Sequence, residues 1–166
     1  MSKNNLILGV DPGLNITGWG LVEKNKNKDI YIAHGSIKSD KKEDLGFRLN
    51  RIYEEISQKV EIYSPNSIAI EKIFANKNPD STLKLGKARA MIFLVAARKK
   101  TGIFEYSPNT IKKNLVGYGH ASKKQIIDMI KRFFPEITID DEDSADALAV
   151  AICHSMQIES KIRLFS

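Results

Sequence analysis

Residues 8–20 read LGVDPGLNITGWG. With Leu6 and Ile7 in front, the chain runs Leu6-Ile7-Leu8-Gly9-Val10 and stops at a carboxylate, Asp11, with Pro12-Gly13 behind it. A short apolar run bounded by turn residues predicts a buried strand. An Asp before Pro-Gly is, by itself, most simply a turn former. Whether Asp11 is more than that depends on where the other carboxylates fall.

Working outward, TGWGLV (17–22) and IYIAHGSI (30–37) are two further strand candidates, joined by the polar, hairpin-like EKNKNKD. Three strands so close in sequence predict an antiparallel meander. The period then changes. Leu45, Leu49, Ile52, Tyr53, Ile56 and Val60 recur at helical spacing, predicting an amphipathic helix over 44–62. SIAIE (67–71) is another short buried strand, and it too ends on a carboxylate, Glu71. Residues 80–99 read as helix, and AMIFLVAA (90–97) is apolar on nearly every side, as in a helix buried on more than one face. This helix is the candidate for contact with a second subunit.

IFEY (103–106) is the fifth strand. Ser107-Pro108 is an N-cap with Pro at the first helical position, and Gly117 and Gly119 end that helix. Ser122 and Gln125 match the capping box of a helix with Ile126, Ile130, Phe133 and Phe134 on its buried side. A last helix runs from about 143 to 156. The order βββ-α-β-α-β-α-α-α predicts an α/β fold: a mixed five-stranded sheet, three antiparallel strands then parallel ones, with helices on both faces. Residues 1–157 read as a single domain and 158–166 as a short C-terminal tail.

Composition narrows the function. The 166 residues suit one domain, and the net charge of +6 is that of many nucleic-acid binders. One cysteine, Cys153, excludes an internal disulfide, and one Cys with three scattered His builds no zinc pattern. The first apolar run is too short for a signal peptide, and no stretch approaches a membrane span of ~20 residues, so a cytoplasmic protein is expected.

Asp11 and Glu71 both stand at the carboxyl ends of predicted strands, where functional groups of α/β sheets gather. Asp143 and Asp146, three apart at the start of the last helix, share one face. The run DDEDSAD also offers Asp140, Asp141 and Glu142. Singly, Asp143 and Asp146 read as acids that complement a helix dipole. Jointly, four converging acids repel one another, which a divalent cation relieves; hard oxygen ligands select Mg²⁺ or Mn²⁺. An acidic metal site in a basic chain is the charge pattern of a nuclease.

LGVDPGLNITGWG (8–20), AIEKIFANKNPDSTLKLGKARA (69–90), FEYSPNTIKKNLVGYGHASKKQI (104–126) and DSADALAVAICH (143–154), in this order and spacing, resemble the RuvC-type Holliday-junction resolvases, nucleases of ribonuclease H-like fold. The resemblance implies Asp11, Glu71, Asp143 and Asp146 as catalytic acids and Mg²⁺ as cofactor. Phosphodiester cleavage, which needs an activated water and a stabilised departing oxygen, predicts two ions per site on DNA. The resemblance also implies a homodimer that nicks two strands of like polarity across a four-way junction and leaves ligatable ends, with a branch-migration helicase complex as partner. It places an aromatic for the junction centre at Phe74 and functional lysines at Lys112 and Lys123, beside Lys113 and Lys124. Lys77, Lys84, Lys87 and Arg89 are additional candidates for phosphate contact. His120, in a Gly-rich loop that could approach DNA, reads as a surface residue, His154 and Cys153 read as packing residues, and His34 has no evident role. Gly18 and Gly20 fall on the returning strand, where small residues would let a DNA backbone come close. Two other classes fit the sequence less well. A non-catalytic junction-binding module would not need four acids, and an ATPase-like phosphate-binding domain would need a second such unit.

Overall fold

The computed structural model describes residues 5–26, 28–74 and 78–165, the last seven as backbone only. The element order is the expected one: β1 (Asn5–Asp11), β2 (Ile16–Lys24), β3 (Asp29–Lys38), α1 (Leu45–Tyr63), β4 (Ser67–Glu71), α2 (Pro79–Lys99), β5 (Gly102–Tyr106), α3 (Pro108–Val116), α4 (Lys123–Phe133) and α5 (Glu142–Phe165). The strands form one sheet in the order β3-β2-β1-β4-β5. β1 pairs antiparallel with β2 and parallel with β4, so it lies at the centre. No helix among the described residues is long and apolar enough to cross a membrane.

Strand parity divides the core in two. Leu8, Val10, Leu21, Ile68 and Ile70 face α1 and α2, whose Ile52, Ile56, Ile92 and Val95 complete one fully buried cluster. Ile7, Val22 and Ala69 face the other way, onto α5 and the α3–α4 pair. Successive side chains of a strand point to opposite faces. Gly9 and Asp11 therefore lie on the α5 side with Ile7, and Glu71 lies there with Ala69.

Helix α5 sits on the backbone of the sheet. A Cβ at Gly9 would stand 2.0 Å from the carbonyl oxygen of Ala147, and one at Gly18 2.0 Å from that of Asp143. One at Gly20 would meet the Leu148 side chain at 2.7 Å. Gly18 and Gly20 thus make room for α5, and the expectation that they admit a DNA backbone is corrected.

Three other readings change. α5 continues to Phe165, so the residues set apart as a tail are helical as far as that residue. Phe134 is buried, but Phe133 is partly exposed. α2 buries only its inner face. Phe93 and Leu94 are exposed on the outside, whereas Met91 packs against the inner cluster.

Gly18→Ala is expected to destabilise the chain by about 2–3 kcal/mol, because a helix backbone must shift to admit one methyl group. Gly46→Ala, where an added Cβ meets nothing within 4 Å, should stabilise α1 by up to ~1 kcal/mol. Urea unfolding of the two variants measures the contrast.

Candidate active site at the end of the central strands

The parallel register of β1 and β4 sets Val10 opposite Ile70, so the next residues, Asp11 and Glu71, stand side by side where both strands end. α5 enters above them. Its start is fixed by Asp141, which accepts from the Ser144 amide at 2.7 Å and from the Ser144 hydroxyl at 2.9 Å. Glu142 is held by Lys123 at 2.7 Å, and Asp140 is exposed. Of the acids in DDEDSAD, this brings Asp143 and Asp146 to the pair on the sheet.

The four carboxylates are half-buried and act on one another. Burial, and then Asp146, Asp143 and Glu71, push the pKa of Asp11 up to about 8. Burial also raises Glu71, Asp143 and Asp146; Asp146 adds to the rise of Glu71, and Asp143 to that of Asp146. Lys123 opposes the rise at all four, and Lys112 opposes it at Glu71 and Asp146. These two lysines therefore face the acids. Lys113 lies with its stem toward Gly119, and Lys124 is exposed.

Among the described residues, no three His, Cys, Asp or Glu side chains close around one point at metal-binding distance. The four acids are coupled without being closed. Their chemistry nonetheless fits a hard divalent cation: all are oxygen donors, and the cost of ionising them together is the cost a cation removes.

The surrounding residues hold this frame. Arg89, buried on α2, donates to the carbonyl of Glu71 and to the carboxylate of Glu105, and so ties the end of β4 to β5. It is a structural clamp, and the expectation of a phosphate contact at Arg89 is corrected. No signal in the sequence distinguished it from its exposed neighbours Lys84 and Lys87. Lys77 lies outside the described residues. Phe74 is 66% exposed three residues beyond Glu71. His154 is a buried joint, hydrogen-bonded to Ser67 of β4 at 3.0 Å and to Tyr106 of β5 at 2.5 Å. Buried Cys153 accepts a bond from Asn114, and its thiol is pushed up to about 11, chiefly by burial. His34 pairs with Tyr31, and His120 is exposed.

Residues 7–154 match the sequence model of the family described as crossover junction endodeoxyribonuclease RuvC. The chain belongs to the RuvC family. Membership makes it an endodeoxyribonuclease. Its relatives of that description include one from Bartonella tribocorum, 44% identical over 94% of this chain and 91% of the relative. Another, from Bartonella bacilliformis, is 45% identical over 90% and 89%. The Thermus thermophilus RuvC structure superposes with a TM-score of 0.87 at 24% identity, covering 94% of this chain and 96% of that one. Its structure in complex with a Holliday junction substrate gives 0.89 at 24% identity, over 95% and 96%. The fold is thus the RuvC fold, of ribonuclease H-like type.

A buried Asp whose pKa lies above its unfolded value of 3.8 holds a proton in the folded chain that the unfolded chain has lost. Stability from this group is complete below that lower value and is lost as pH rises toward about 8. Metal-free Asp11→Asn should therefore melt roughly 4 °C or more above the parent at pH ~8 and close to it at pH ~4. Equal melting shifts at both pH values would contradict the electrostatic account.

Proposed function

We propose that this chain resolves four-way (Holliday) junctions by Mg²⁺-dependent, paired nicking of two strands of like polarity. The observation that carries the reading is the meeting of Asp11, Glu71, Asp143 and Asp146 at one sheet edge, faced by Lys112 and Lys123, in a chain of net charge +6. The thermophilic relative described in complex with a Holliday junction substrate supports the choice of DNA.

In this reading the four acids hold Mg²⁺, replaceable by Mn²⁺, with two ions per site when DNA is bound. Such ions supply an activated water and neutralise charge on the scissile phosphate and the departing oxygen. The chain's own residues do the rest. Asp11 and Glu71 are fixed by the sheet and cannot drift apart as the phosphate enters. Lys112 and Lys123 neutralise the strand beside the acids, and Lys123 exchanges its bond to Glu142 for a phosphate oxygen. Phe74 offers an exposed ring on which an unpaired base can stack at the junction centre.

A junction of near-two-fold symmetry calls for two copies of the site, which a two-fold dimer presents. The outer stripe of α2, Phe93 and Leu94, is the surface proposed for that contact, and exposed Phe104 of β5 adds to the apolar surface available. Two symmetric nicks would leave ends a ligase can seal, and a branch-migration helicase complex is the partner expected on the same junction.

With a synthetic four-way junction and Mg²⁺, the wild-type chain should nick two opposed strands. Asp11→Asn and Asp146→Asn should lose about 10³-fold in rate or more, the scale of several kcal/mol of charge stabilisation. Lys112→Ala and Lys123→Ala should each lose about 10- to 100-fold. Equal cutting of linear duplex would overturn the junction specificity. Leu94→Glu should give a folded monomer by sedimentation that no longer cuts both strands together; an intact dimer would reject the α2 interface.

A further inference from the structure

A cleft of about 490 Å³ opens beside the loop that follows Asp11. Leu14 and Asn15 line it from the loop, Lys41 and Arg48 from the start of the α1 region, and Ser81 and Lys84 from α2. Three cations border it, and no acidic side chain does. The acid next to hand is Asp80, which pairs with Lys84 at 3.6 Å, but both side chains are exposed and such pairs are weak.

The loop side of the cleft is built in advance. Arg48 donates from Nε to the Ser39 hydroxyl at 3.0 Å, and from one Nη to the Leu14 carbonyl at 3.2 Å and to Asn15 Oδ1 at 2.6 Å. The Ser39 hydroxyl donates to the same Leu14 carbonyl at 2.5 Å, and the Ser39 amide to the Asn15 carbonyl at 3.0 Å. Arg48 thus fixes the loop, while exposed Lys41 and Lys84 are placed to meet a ligand. Leu14 is three residues from Asp11, a reach of at most ~11 Å. A DNA strand carries one phosphate per ~3.4 Å of axis, so the Leu14 edge of the cleft lies within about three nucleotides of Asp11.

We infer that this cleft holds the sugar–phosphate backbone of the cleaved strand, flanking the scissile phosphate, with Lys41 and Lys84 as its phosphate contacts and Arg48 as the residue that positions the Leu14–Asn15 loop. The inference rests on the resolvase reading and adds a binding site to it. An open, cationic cleft beside the loop that follows Asp11 suits a polyanion that also reaches the acids.

The test is junction binding by fluorescence anisotropy without divalent metal, titrated over salt concentration. Lys41→Ala/Lys84→Ala is compared with the wild type and with Lys26→Ala/Lys28→Ala. The latter removes the same charge from the β2–β3 connection, at the end of β2 remote from Asp11. In the cleft variant the slope of log affinity against log salt should fall by about 1.8, with about tenfold weaker binding at low salt. The control variant should stay near the wild type, and the melting temperatures of all three should agree. An unchanged slope in the cleft variant, or an equal change in both variants, overturns the inference alone. A wild type that does not bind the junction overturns it together with the resolvase reading.

Discussion

The fold turns on one close contact: helix α5 lies on the bare backbone of β1 and β2. Three glycines, Gly9, Gly18 and Gly20, remove the side chains that would otherwise hold it off. Everything at the site follows from that approach. The helix brings Asp143 and Asp146 down to the level of the sheet, and strand parity brings Asp11 and Glu71 up to meet them. A helix carried on ordinary side chains would ride several ångströms higher, and its acids would miss those of the sheet.

The same contact sets the electrostatic problem. Four half-buried carboxylates in one place raise one another's pKa values, and Asp11 bears the largest rise, to about 8. Among the described residues the buried cation is Arg89; it binds the Glu71 carbonyl and Glu105 and only partly offsets the rise at Glu71, while Lys112 and Lys123 act from the rim. Negative charge is left only partly compensated where the four acids meet. This is the reverse of what stability alone would favour.

Much of this was legible in the chain. Period-two and period-3.6 patterns, with caps at Ser107 and Ser122, placed every element in order, because each of these signals is local. The two strand-ending acids were visible for the same reason. What was not legible depended on contacts between distant segments. Gly18 and Gly20 look alike whether they face DNA or a helix, and only the seat of α5 decides. Arg89 resembles Lys84 and Lys87 until Glu71 and Glu105 are found beside it. The choice among the acids of DDEDSAD rested on spacing. The structure adds its physical reason: Asp141 is spent on the helix start and Glu142 on Lys123. The α2 helix misled on burial, because an all-round apolar segment reads the same whether its outer face is covered within one chain or left for another.

The buried His154 joint has a consequence for motion. His154 on α5 bonds Ser67 at the start of β4 and Tyr106 at the end of β5, and Arg89 on α2 ties the Glu71 end of β4 to Glu105 of β5. β4, the strand that carries Glu71, is thereby fastened near both ends, to α5 and to α2. Opening of β4 therefore requires these bonds to break together with the core packing around them, which places it among the costlier local openings. The lysines sit on α3 and at the first turn of α4, outside that fastening. The cationic rim and the strand that carries Glu71 thus belong to separately held parts of the molecule.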